Sequence, residues 1–151
     1  MLEVDSPRDL TAHIGKSLDP GAWLLVDQAM INAFADATGD HQWIHVDIER
    51  AKRELPGGKT IAHGFLTLSL LPRLAQSVVN VKGRSRTFNY GSNKVRFTAP
   101  VPAGSRIRLR MTLKAAEPVE GGLRLIFDNL VEIEGQHKPA LVAETIQVAY
   151  L

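Results

Sequence analysis

The segment from residue 63 to 78 constrains this chain more than any other. Phe65, Leu66, Leu68, Leu70, Leu71, Leu74, Ala75 and Val78 fall around most of a helix's circumference. A helix apolar on nearly all sides has no face for water and must be buried. Pro72 has no amide hydrogen for the helical ladder, so the helix is expected to kink or divide there. At 151 residues the chain is about one domain long, so one domain over residues 1–151 is expected, with the remainder covering this helix.

The covering material lies in the C-terminal half. Ile107, Leu109, Met111, Leu113 and Ala115 alternate with Arg106, Arg108, Arg110, Thr112 and Lys114. Period-2 alternation means a strand with one buried and one wet face, so the arginines belong to the wet face. Leu123, Leu125, Phe127, Val131 and Ile133 continue the pattern after a Gly121-Gly122 turn, and residues 141–151 make another strand. An earlier strand carries Phe88, Tyr90, Val95 and Phe97, with Gly91 as a candidate bulge. Several antiparallel strands after a buried helix give an α+β fold, a sheet curled around that helix.

Before residue 80 the patterns are helical. Asp27 is placed to cap a helix over 27–38 that sets Met30, Ile31, Phe34, Ala35 and Thr38 on one face and ends at Gly39. A loop from Asp40 to Val46 follows. A short helix then starts after Asp47, turns Ile48, Ala51 and Leu55 inward, and stops at Pro56-Gly57-Gly58.

Composition removes several chemistries. With no cysteine there is no disulfide, thiolate metal site, iron–sulfur cluster or cysteine nucleophile. A net charge of +2 with acids spread throughout gives no nucleic-acid-binding block. No apolar run reaches the ~18 residues that span a membrane. The first residues lack a signal-peptide pattern, so a cytoplasmic protein is expected.

The chemistry-bearing stretch is Phe34 to Ala51, FADATGDHQWIHVDIERA. It puts Asp40 and His45 in one loop between helices, five residues apart. A carboxylate and an imidazole that reach one cleft can hold a water and move two protons. That suits addition of water to an α,β-unsaturated thioester: the water loses a proton as it attacks C3, and C2 gains one. Backbone N–H groups at Ala62-His63-Gly64 can meet the charge that develops on the thioester oxygen, and glycine permits close approach.

This stretch resembles the MaoC-like, or (R)-specific enoyl-CoA hydratase, family and its NodN-like branch. Phe34, Gly39-Asp40, Ile44-His45 and Ala51 match the loop pattern, and Ala62-His63-Gly64, Arg96-Phe97 and Ala99-Pro100-Val101 match later signatures. The family's Asn-Pro is Gln42-Trp43 here, which bears on loop shape and acyl-chain preference. The resemblance implies a hotdog fold, a homodimer and a coenzyme A thioester as substrate; the sequence leaves an acyl carrier protein thioester open beside it. It implies that Asp40 and His45 are the acid–base pair, with the base left open between them, and that the Gly64 N–H helps form an oxyanion hole. No metal and no redox cofactor are expected.

Further candidates are Gln42, His63, Tyr90 and Asn93 for substrate binding, and Lys82, Arg84 and Arg86 for coenzyme A phosphates. Asp47 is read as a helix cap. A metal held by His41, His45 and Asp47 is a minor reading. Two rival functions share the fold: an acyl-CoA thioesterase and a non-catalytic acyl-thioester binding protein. The central helix carries no acid from residue 61 to 79, which counts against the first.

Overall fold

In the computed structural model, which describes residues 1–84 and 86–151, the alternating half of the chain forms the sheet the pattern requires. Strand β5 (Ser105–Val119) pairs with β6 (Gly122–Ile133), β6 with β7 (Leu141–Tyr150), and β7 with β4 (Arg86–Phe97). A short strand β2 (Leu24–Val26) pairs with β5 and completes the order β2-β5-β6-β7-β4, antiparallel throughout. Ile107, Leu109, Met111 and Leu113 are all buried, as are Leu123, Leu125, Phe127, Val131 and Ile133.

Against this inner face lie α4 (Gly64–Ser69) and α5 (Leu71–Ala75), which bury Leu66, Leu70, Leu71 and Leu74. Each such leucine, fully buried, contributes about 1.5–3 kcal/mol. The helix divides at Leu70. Pro72 sits in the first turn of α5, where a missing amide hydrogen costs nothing. One expectation fails: Phe65 is 67% exposed and packs edge-on against Phe97 at 5.7 Å. It overhangs the sheet margin instead of joining the core, because α4 is less than two turns long.

The outer face carries the arginines. Arg106 pairs with Glu134 at 2.6 Å, and Arg108 (2.6 Å) and Arg110 share Glu132. Burial works against charge on Glu132, but hydrogen bonds from both arginines outweigh it and hold the carboxyl below its usual range.

Helix α1 (Gln28–Thr38) is capped by Asp27, whose Oδ1 accepts from the Met30 N–H at 2.9 Å, and it closes at Gly39 with φ of 80°. Asp47 caps α3 (Ile48–Glu54) in the same way, accepting from Arg50 N–H at 3.0 Å. Ala51 is buried as expected, but Ile48 faces solvent. The segment between these helices is not all loop: Trp43–Val46 forms a one-turn helix, α2. Strands β1 (Leu2–Val4) and β3 (Val79–Val81), which pair in parallel, have no periodic signature because each is three residues long.

Strand β4 is one edge of the sheet, and the three-residue β2 is the other. Its register against β7 slips between Asn89 and Gly91 and again between Ser92 and Lys94, so Tyr90 and Asn93 are the extra residues of two bulges. The bulge expected at Gly91 is therefore present, with a second beside it. No helix among the described residues is long and apolar enough to cross a membrane.

Candidate active site

The α1–α2 turn, α2 and the start of α4 meet at one place. There a side-chain oxygen of Asp40 and ring nitrogens of His45 and His63 all lie within 4.8 Å of one another. The caps at Asp27 and Gly39 fix where α1 ends and so where Asp40 begins. The Asp40 N–H leans on the Thr38 hydroxyl at 3.4 Å, and its Oδ1 accepts from the Gln42 N–H at 3.3 Å. Asp40 stays exposed, whereas His45 is only 6% exposed.

His45 is held from both sides. Its Nδ1–H donates to the Ile61 carbonyl at 2.6 Å, so Nε2 carries the free lone pair. Its own carbonyl accepts from Gln28 Nε2 at 2.7 Å, and the Gln28 side-chain oxygen accepts from the buried Thr60 hydroxyl. Gln28 and Thr60 were not legible as site residues. They lie 32 positions apart, and neither belongs to a recognisable motif.

His45 lines a cleft of about 300 Å³ that also touches Gly64, Thr67, Phe97 and Pro100. Helix α4 has no side-chain cap, and the N–H groups of Gly64 and Phe65 meet no partner among the described residues. Gly64 is small for a packing reason as well. A Cβ there would lie 2.9 Å from the Phe97 ring, closer than carbon atoms tolerate.

The other sequence candidates divide: His63 and Gln42 meet Asp40 at the site, and the rest lie elsewhere. His63 is buried and stacks on His45, and its Nε2 is taken up by the Asp40 carbonyl. Gln42 contributes its backbone N–H to Asp40 while its side chain caps nothing. Tyr90 and Asn93 do not line the His45 cleft within one chain. The bulges send Asn93 to Glu144, on the outer face, and Tyr90 beneath Arg124 at 4.9 Å. Of the three basic residues, Lys82 faces Glu3 at 3.4 Å and Arg86 covers Tyr150 at 4.6 Å. Arg84 borders a separate cavity near Gln76 and Thr87.

The metal reading of His41, His45 and Asp47 loses its geometry. His41 pairs with Asp36 on the surface at 2.9 Å, a contact that raises its pKa, and Asp47 is committed to its cap. The Asp40–His45–His63 group is closer but ill-suited too. Its imidazoles stack at 3.8 Å with 22° between planes, so their in-plane lone pairs lie in two nearly parallel planes. A tetrahedral ion needs them to converge.

Comparison with known proteins agrees with this architecture. Residues 9–129 match the model of the MaoC like domain. The 3-hydroxyacyl-thioester dehydratase Z of Mycobacterium tuberculosis is 50% identical over 147 residues, which is 97% of each chain. Nodulation protein N of Rhizobium meliloti is 46% identical over 148 residues, covering 93% of this chain and 89% of that one. The solved R-hydratase PhaJ1 from Pseudomonas aeruginosa superposes with a TM-score of 0.73 at 22% identity, over 91% of this chain and 81% of its own. With its sheet wrapped on a central helix and its Asp40/His45 loop in place, the chain belongs to the MaoC-like dehydratase family and has the hotdog fold.

Proposed function

We propose that this chain catalyses the reversible (R)-specific hydration of a trans-2-enoyl thioester of coenzyme A or acyl carrier protein. Family membership supports a hydro-lyase. The observation that carries the residue assignment is the convergence of Asp40 and His45, with His45 and Gly64 lining one cleft at the uncapped start of α4.

The chemistry follows from the groups present. The thioester carbonyl oxygen takes hydrogen bonds from the Gly64 and Phe65 N–H groups, which meet no partner among the described residues. Water between Asp40 and His45 gives a proton to one of them as its oxygen bonds to C3. The C2=C3 electrons move toward the carbonyl, and the bound N–H groups stabilise the enolate. The pair therefore enters with one proton between them; the member that holds it delivers it to C2 as the carbonyl re-forms, and the proton taken from water restores the pair's charge. His45 suits this exchange because Ile61 holds its Nδ1–H and leaves Nε2 to take or give the proton. The chain needs no metal or redox group for any of these steps.

We assign the homodimer to the β4 edge. That strand is exposed along most of its length and presents Phe88 and Phe97, with Phe65 alongside. An open edge bearing aromatic residues is a template for a second copy. Sedimentation at twice the 16.6 kDa chain mass is expected, and a monomer at micromolar concentration would remove this assignment.

The test is loss of enoyl absorbance with crotonyl-CoA and a longer 2-enoyl-CoA. The expected product is the (R)-3-hydroxyacyl thioester, without free thiol. Asp40→Asn and His45→Gln should each lose at least 10²-fold in turnover while staying folded. Near-native turnover in either variant refutes the pair. Release of free coenzyme A would instead favour a thioesterase.

A further inference from the structure

We infer that His63 is a positioning residue for the Asp40/His45 pair, acting through an imidazole whose hydrogen sits on Nε2. This rests on the functional reading above but is judged by observations of its own. His63 is 3% exposed, at the junction of the Asp40 turn and α4. It touches both members of the pair and neither through a reacting atom. Its ring lies flat on the His45 ring, centroids 3.8 Å apart, and Phe34 packs on it at 4.9 Å. Its Nε2 lies 3.0 Å from the main-chain oxygen of Asp40.

That contact fixes the tautomer. A carbonyl oxygen only accepts, so Nε2 carries the hydrogen. Nδ1 is buried and meets no hydrogen-bond partner among the described residues. A hydrogen there would be a buried donor without an acceptor, the costlier of the two arrangements. The neighbouring ring is fixed in the opposite sense, because His45 Nδ1 donates to Ile61. Two stacked imidazoles thus hold opposite tautomers, each set by one main-chain carbonyl.

The consequence is mechanical. Asp40 follows a left-handed glycine at a helix end, and its carboxylate is exposed. Its contacts with Thr38 and Gln42 are local to the turn, and the His63 N–H ties that turn to the start of α4. The same ring limits how far His45 can tilt about its bond to Ile61. His63 therefore sets the relative placement of two groups that must address one water, and misplacement by about 1 Å costs on the order of 10² in rate.

Two variants separate this role from simple packing. His63→Phe keeps a flat ring for His45 and Phe34 but loses the donor to Asp40. His63→Gln loses the ring but keeps an N–H on a side chain of similar reach. Positioning predicts that His63→Phe lowers kcat about 10²-fold with KM within about twofold, and that His63→Gln restores a large part of it. Packing alone predicts the reverse order, and that order would overturn the inference. So would near-native turnover in His63→Phe. Nitrogen-15 spectra of the wild-type imidazoles at neutral pH give an assay-independent readout. An Nε2–H form for His63 and an Nδ1–H form for His45 are expected, and an Nδ1–H form for His63 would refute the assignment. Wild-type protein inactive on every enoyl thioester would sink the functional reading, while the spectra would still decide the tautomers.

Discussion

Gly64→Ala isolates the contact between the central helix and β4. A Cβ built at Gly64 lies 2.9 Å from both Cγ and Cδ1 of Phe97 and 3.0 Å from Cδ2, so three ring atoms must move. Alanine is a better helix former than glycine, by up to about 1 kcal/mol, so local propensity favours the variant. Overpacking opposes it at about 1–3 kcal/mol. Phe97 is 46% exposed in the single chain but lies on the edge assigned to the second copy, so its ring has limited room to swing and the cost falls mid-range, at about 2 kcal/mol. The net expectation is a loss of about 1 kcal/mol, or about 2–4 °C in Tm for a domain of this size. The larger effect falls on the cleft. The displaced ring shares it with His45, and the added methyl crowds the approach to the Gly64 N–H. Turnover on crotonyl-CoA should fall by at least tenfold, out of proportion to the stability change. Thermal unfolding and the enoyl assay, run on Gly64→Ala, Phe97→Ala and the double variant, form a cycle. If the clash is the cause, alanine at 64 destabilises much less once the Phe97 ring is gone. An equal cost in both backgrounds, or a fully active single variant, refutes the reasoning.

Asp27→Ala removes the oxygen that accepts from Met30 N–H and should cost about 1 kcal/mol in a urea titration. Because α1 also presents Gln28 to the His45 carbonyl, activity should fall further than stability alone explains. Glu132→Gln bears on pH dependence. The folded carboxyl titrates below its unfolded value, so its stabilisation is present above the unfolded pKa and is lost as pH falls through the folded one. The variant should be about 1 kcal/mol less stable at neutral pH, with a shallower loss toward acid, by denaturation at a series of pH values. Arg50→Ala removes a guanidinium 4.0 Å above Trp43 and should cost about 0.5–1 kcal/mol in the same titration.

Much of the fold was legible because its signals are local and repeated. Ile107 to Leu113 alternate, and the structure buries each odd position. Asp27 and Gly39 bracket α1, and Asp47 starts α3, because caps are short-range chemistry. Strands of three residues such as Leu24–Val26 carry no period and are fixed by the partner they meet, here β5. Phe65 was misread because helical periodicity says which residues are apolar but not where a six-residue helix sits against its sheet. At the site, spacing brought Asp40 and His45 together on paper. The His45–His63 stack and the Gln28–Thr60 bridge join segments 18 and 32 residues apart, which only a fold can specify. Asn129 shows the same limit. It stands at an inward position of β6, and its amide donates to Thr145 Oγ1 at 2.8 Å, so the strand keeps a polar residue where the alternation asks for an apolar one.

The two bulges of β4 also carry an evolutionary arithmetic. Thr87 and Asn89 stand opposite Ala149 and Gln147, and Val95 and Phe97 stand opposite Ala143 and Leu141. All eight share one face, although two extra residues, Tyr90 and Asn93, intervene. Each bulge reverses the strand's parity, and the second cancels the first. Loss or gain of one residue here would turn Phe97 away from Gly64 and leave the cleft without a wall. Loss of both extra residues would return a regular strand with its two ends facing as before. Length change in this strand is therefore tolerated in twos: the open edge can be remodelled over evolutionary time while the wall of the cleft stays in phase.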